Sequence, residues 1–192
     1  MGRARFDQAD FLAAARALIA ERGPNAVTVD SVAERIGAPK GSFYYRFASR
    51  DALLGEVWLT TVLAYQHGFV AAIEAGDGLS AALHTPAWAR RHLDDARLLM
   101  LYSRHDFVQG DWPASLRRGV ADQAEGFEAC LRTFAHAAFG RAGSSELRRA
   151  TFVLAEVPLA AVKPHLHRRE RPPPLVDELI SKTYHAIVGG VV

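Results

Sequence analysis

A chain of 192 residues spans one to two domains at roughly 150 residues each. Its 49% hydrophobic and 23% charged residues exclude a disordered chain, and a single cysteine, Cys130, excludes an intrachain disulfide and a Cys-based zinc site. The net charge of +2 permits nucleic-acid binding without demanding it. The sequence has 34 Ala and 20 Leu against 15 Val and 5 Ile, a balance that predicts an all-α fold. No run of about 18 apolar residues predicts a membrane span. The segment from Met1 turns acidic and helical at once with no signal-peptide core, so a cytoplasmic location is expected. Residues 1–50 hold eight basic against five acidic residues, +3, and the remaining 142 carry −1. A mildly basic head thus precedes a near-neutral body.

Asp7 is an N-cap for the first helix, with Asp10 in its first turn. Phe11, Ala15, Leu18 and Ile19 share one face of it, and Phe6 before the cap is placed to staple against Phe11. Gly23-Pro24 stops it. Thr28 caps a second helix with the stripe Val29, Val32, Ala33 and Ile36, which ends at Gly37. Residues 39–47 predict a third helix with Phe43 and Phe47 facing inward and Pro39 in its first turn. Ser49 caps a fourth, running to about Ala75. Residues 79–92 read as apolar but broken at Pro86, and residues 94–104 as an amphipathic helix. Phe107 to Asp111 reads as a loop. Pro113 to Phe139 is one long helix ended by Gly140. Ser144 to about His167 is another, kinked at Pro158. Pro172-Pro173-Pro174 precedes a last helix, Leu175 to Val188.

Two short helices joined by a few residues that include a glycine have helix-turn-helix spacing, in which the second helix enters the major groove. In residues 39–47 the two phenyl rings anchor, leaving Lys40, Gly41, Ser42, Tyr44, Tyr45 and Arg46 to point outward. Gly41 lets a duplex approach closely, Ser42 can bond to a base edge or a phosphate, and Lys40 and Arg46 supply charge. Thr28 and Ser49-Arg50 open helices whose N-termini suit phosphate oxygens. Arg3 and Arg5 are placed to form a flexible arm, or simply to solubilise the chain.

Thr28-Val29 through Ala33, Gly37-Ala-Pro-Lys-Gly-Ser-Phe-Tyr-Tyr-Arg-Phe47 and Ser49-Arg50-Asp51-Ala-Leu53-Leu54 together resemble the N-terminal domain of the TetR family of bacterial transcriptional regulators, over roughly residues 6–55. The resemblance implies an N-terminal three-helix DNA-binding domain, residues 1–50, and a helical-bundle ligand and dimerisation domain, residues 51–192. It implies a homodimer on a palindromic operator, most often a repressor released by a small effector. Thr28, Lys40, Gly41, Ser42, Tyr44, Tyr45 and Arg50 match positions where the family touches DNA. Arg46 departs from the more frequent His or Tyr, which leaves open whether it reads a base or a phosphate.

In the body the resemblance places a dimer interface on the last two helices, where Phe152, Leu154, Leu159, Val162, Leu175, Val176, Leu179, Ile180 and Tyr184 exceed one narrow stripe. Completing the protomer's own core is the other role for them. Candidate walls of an effector pocket are Trp58, Tyr65, Phe69, Trp88, Met100, Tyr102, Phe127 and Phe134, with Arg104 and His105 as polar groups. A mostly apolar wall suits a small lipophilic effector. Cys130 reads as an inert buried thiol. The His165-x-His167 pair points apart on a helix, so no metal or other cofactor is expected. No phosphate loop or nucleophile elbow is present, so an enzyme is not expected. The alternative class is a helical-bundle carrier or enzyme with a vestigial DNA-binding head.

Overall fold

The computed structural model describes residues 6–107 and 112–190, apart from the side chains of Arg104 and His105. Among the described residues every regular element is helical: α1 (Gln8–Arg22), a 3-10 turn (Pro24–Ala26), α2 (Val29–Ile36), α3 (Lys40–Tyr44), α4 (Arg50–Glu74), α5 (Gly78–Arg91), α6 (Leu93–Leu101), α7 (Arg104–Phe107), α8 (Ala114–Phe139), α9 (Ser144–Thr151), a π-helical turn (Phe152–Glu156), α10 (Val157–His167) and α11 (Pro174–Val188). None of them is long and apolar enough to cross a membrane.

The predicted start signals act as predicted. The Asp7 carboxylate accepts the Asp10 N–H while the Asp10 carboxylate accepts the Asp7 N–H, a reciprocal cap on α1. Thr28 and Ser31 do the same for α2, and Ser49 accepts from Ala52 at the head of α4. Such caps contribute about 1 kcal/mol each.

Two apolar clusters hold the chain. The first joins Phe11, Ile19, Phe43 and Phe47 to Leu53, Val57 and Trp58 of α4 and to Leu98, Phe107, Trp112 and Leu116. The second gathers Phe69, Trp88, Leu131, Phe134, Leu154, Leu166 and Ile180. Helix α4 contributes to both, and at 25 residues it is about 37 Å long.

Three expectations are corrected and one is refined. Pro86 does not break its segment: α5 runs unbroken through it. The missing N–H and ring clash cost about 3 kcal/mol, but Ala81, Ala82, Thr85, Trp88 and Ala89 around it are all buried, and the Tyr65 hydroxyl bonds the Thr85 hydroxyl at 2.8 Å. Phe107 is not a loop residue; it ends α7 and is fully buried. The Ser103 N–H and hydroxyl both donate to the Asp106 carboxylate and start that turn. At Pro158 the helical run continues. A π-helical turn precedes it, and the wider turn accommodates a residue that has no N–H and crowds the carbonyl four residues back. Helix α3 spans five residues rather than nine, with Pro39 before it in extended conformation and Phe47 beyond its end.

His84 on α5 lies under α4, its Nε2 donating to the Tyr65 carbonyl at 2.7 Å. Only glycine fits above it, because a Cβ on Gly68 would stand 2.4 Å from Cε1 and 2.9 Å from Nδ1. Burial holds the His84 pKa below its ordinary value of 6.5, and the Arg91 charge adds to that, against the opposing pull of the Tyr65 carbonyl. The unfolded chain therefore binds the extra proton first. The stability His84 protects is present above about pH 6.5 and is lost as pH falls through the lowered folded value. Thermal melts at pH 7.5 and 5.5 are expected to show a drop that His84→Gln reduces; an equal drop in both proteins excludes His84 as its source.

Candidate nucleic-acid interface

Helix α2 ends where Gly37 takes φ 67°, a left-handed conformation that L side chains adopt at a cost of about 1–2 kcal/mol. The Ala38 N–H returns to the Ala33 carbonyl at 2.9 Å, turning the chain sharply into α3. Helix α3 is too short to be stable alone. It is held from behind: Phe43 and Phe47 are buried to 1% exposure or less. Both pack edge-on against Phe11 of α1 with ring centroids at 6.0 Å, and their own centroids are 5.5 Å apart.

The opposite face is open. Tyr44 is 62% and Tyr45 87% exposed, and Lys40 and Gly41 are exposed beside a half-buried Ser42. A Cβ on Gly41 would meet nothing within 4 Å, so its missing side chain serves no contact inside the protomer. Lys40 pairs with Asp30 of α2 at 2.7 Å, both side chains 66% exposed. A pair so exposed contributes at most about 1 kcal/mol, which leaves the ammonium free to exchange Asp30 for a phosphate.

Two further candidate contacts are engaged within the head. The Arg46 guanidinium donates to the Phe6 carbonyl and to the Ser42 carbonyl, and lies over the Phe11 and Tyr45 rings at 5.7 Å. It anchors the chain entering α1 to the far end of α3. Arg50 donates to the Val27 carbonyl at 2.5 Å and the Pro24 carbonyl at 3.0 Å, with Asp51 at 3.2 Å, so the start of α4 is tied to the turn between α1 and α2. Thr28 is exposed at the head of α2. Arg3 and Arg5 lie outside the described residues.

The predicted effector walls are not gathered around one cavity. Trp58 is buried in the first cluster; Phe69, Trp88, Met100 and Phe134 are buried in the second. Tyr65 is spanned by His84 and Trp88, with ring centroids at 5.1 and 5.2 Å. Burial pushes the Tyr65 hydroxyl pKa up, against the lowering effect of its bond to Thr85. Tyr102 packs half-buried against the first cluster, and the Arg104 and His105 side chains lie outside the described residues. Phe134 lines a small cleft of about 170 Å³ with Ile73 and Tyr184, and Phe127 lines a separate, larger one. That cleft, of about 840 Å³, runs between α4 and α8 and is walled by Leu63, Gln66, Val70, Gly119, Gln123 and Phe127, among others. Its signals in sequence are a polar Gln66 on an otherwise buried face of α4 and two glycines seven residues apart on α8. Cys130 is buried, and burial, then the Glu74 charge, pushes its thiol pKa up, away from thiolate chemistry.

The segment 11–57 matches the family model of the bacterial regulatory proteins, tetR family. No curated protein matches the chain in sequence. Among solved structures, a transcriptional regulator from Rhodococcus sp. Rha1 superimposes with a TM-score of 0.67 at 19% identity, over 97% of this chain and 99% of that one. FadR from Bacillus subtilis, solved with stearoyl-CoA, gives 0.65 at 13% identity over 97% and 100%. The ketosteroid transcriptional regulator KstR2 of Mycobacterium tuberculosis gives 0.57 at 17% over 98% and 96%. At these identities the likeness shows a shared fold.

Proposed function

We propose, from the premise that residues 11–57 make this chain a TetR-type transcriptional regulator, that it binds a palindromic operator as a homodimer and releases it when a small lipophilic effector binds the body. Residues 1–50 form the DNA-binding part and 51–192 the sensing and dimerising part. The observation that carries this reading is the division of α3. Its phenyl ring is buried while Lys40, Gly41, Tyr44 and Tyr45 face outward. Tyrosines, lysine and serine suit phosphate and base edges.

The dimer reading is supported by Phe152, Leu175 and Leu179, which are 40%, 58% and 52% exposed along α9–α11. Their neighbours Leu154, Val162, Val176 and Ile180 are core. Symmetry pairing of these helices sets two α3 segments about 34–36 Å apart, one helical turn of DNA. The effector occupies the α4–α8 cleft, whose Leu63, Val70 and Phe127 are apolar and whose Gln66 and Gln123 supply polar contacts. FadR was solved with stearoyl-CoA and KstR2 is named a ketosteroid transcriptional regulator, which supports an effector of lipophilic class. Helix α4 runs from the cleft to Arg50, so a tilt at one end moves the turn that Arg50 grips at the other. Differential affinity for the two spacings, typically about 1–3 kcal/mol, suffices for release.

Binding selection from random duplex DNA tests the reading. The expected result is an enriched palindrome, bound with log K falling against log salt at a slope of roughly −5, for about three phosphates neutralised per protomer. A pool without a palindrome, or a flat salt response, overturns it and leaves the carrier or enzyme class.

A further inference from the structure

The segment between α10 and α11 joins body to head through one side chain. Arg169 stands just past the C-terminus of α10 with φ 59°, the one non-glycine residue at positive φ among those described. The Arg169 N–H returns to the Leu166 carbonyl and the Glu170 N–H to the His165 carbonyl, a helix-ending turn that glycine ordinarily fills. Here an arginine fills it, and its guanidinium crosses to the head. Nη2 donates to the Ala20 carbonyl at 2.8 Å and to the Glu21 carbonyl at 3.0 Å. Those carbonyls belong to the last turn of α1, where the helix leaves acceptors unpaired and carries partial negative charge.

Both ends of this bridge are fixed. On the body side, Arg97 of α6 donates to the Leu166 carbonyl, while Arg90 of α5 donates to the Pro172 carbonyl at 2.7 Å and pairs with Asp177 of α11 at 2.9 Å. On the head side, the Glu21 carboxylate takes both guanidinium nitrogens of Arg35 on α2, at 2.9 and 2.6 Å. The head therefore moves with the end of α1, and the end of α1 is held by a segment pinned between α5, α6 and the first turn of α11.

We propose that Arg169 is a positioning residue for operator binding: it fixes the orientation of each head on its body, and hence the separation of the two α3 segments. This rests on the DNA-reading function proposed above. Arg169 touches no DNA in this scheme, so it sets which half-site spacing is accepted rather than which bases are read.

The test compares wild type, Arg169→Gly and Arg169→Lys in a Cys130→Ala background. Nitroxides at Glu34→Cys on α2 and Glu125→Cys on α8, in samples diluted with unlabelled protein, report the head-to-body distance. Affinity is then measured for the palindrome selected by wild type and for the same half-sites moved one base pair apart. Arg169→Gly is expected to broaden the distance distribution and to reduce the discrimination between the two spacings by about threefold to tenfold, the scale of exposed charge-assisted hydrogen bonds. Arg169→Lys, which keeps the charge, restores part of both. The melting temperature of Arg169→Gly is expected to equal or exceed that of wild type, because glycine adopts φ 59° freely, whereas a merely structural arginine would lower it. Unchanged distances and unchanged spacing discrimination in Arg169→Gly overturn the proposal, as does a change in both that tracks a lower melting temperature. If wild type selects no palindrome, the DNA-reading function fails, and the nitroxide distances alone decide whether Arg169 holds the head.

Discussion

Gly41→Glu is expected to weaken operator binding by about 100-fold or more while leaving the protein as stable as before or slightly more so. The two effects separate because of where Gly41 sits. Inside the protomer a side chain there meets nothing, and replacing a helical glycine by a better helix former contributes about 0.5–1 kcal/mol. A carboxylate in the first turn of α3 also complements the helix dipole. Against a duplex the same carboxylate faces phosphates, and like-charge juxtaposition at an interface costs several kcal/mol, at about 1.4 kcal/mol per tenfold. Fluorescence anisotropy with the selected palindrome and a thermal melt read the two effects independently. Gly41→Ala calibrates them, adding bulk without charge. Unchanged affinity in Gly41→Glu would mean that α3 does not face DNA.

Phe43→Ala should do the reverse, removing DNA binding by unmaking the head. Phe43 is fully buried and meets Phe11, Phe47 and Tyr44 at ring centroids of 5.4–6.0 Å. Truncating a buried phenylalanine costs about 3–5 kcal/mol, or roughly 6–20 °C of melting temperature for a chain of this size. The cost falls on a five-residue helix with no side-chain cap. Tyr45→Ala, one turn edge away and 87% exposed, is expected to leave the melt unchanged. Equal melts for Phe43→Ala and Tyr45→Ala would contradict the division of α3 into a buried and a presented face.

What was legible in the sequence was the chemistry that acts over a few residues. Asp7 with Asp10, Thr28, Ser49, Gly37 and Gly140 each mark a helix end, because a cap needs only its own turn to work. The same logic covers Ser103 and Asp106, whose spacing signals the start of α7 where residues 94–104 read as one helix. Pro86 misleads because the rule for proline counts the lost N–H and the ring clash but not the burial of the residues around it. The π-helical turn before Pro158 has no local signature in Phe152–Glu156. Arg46 and Arg169 were opaque for a different reason: their acceptors are backbone carbonyls 40 and 149 residues away in the chain, and a carbonyl leaves no trace in residue type. The effector walls are the hardest to read from sequence. A large aromatic marks a core and a pocket alike, so Trp88 and Phe134 read the same whether they enclose a ligand or each other. The better signals were absences of bulk, Gly119 and Gly126.

The alternation within α3 also bears on how such a chain can diversify. Inward and outward residues interleave over the six positions from Lys40 to Tyr45, so drift at Lys40, Gly41, Ser42 or Tyr45 costs the fold little, while drift at Phe43 costs most of what holds the head together. If α3 reads DNA as proposed, descendants of one ancestor can therefore acquire new target promoters by substitutions that purifying selection on folding scarcely sees.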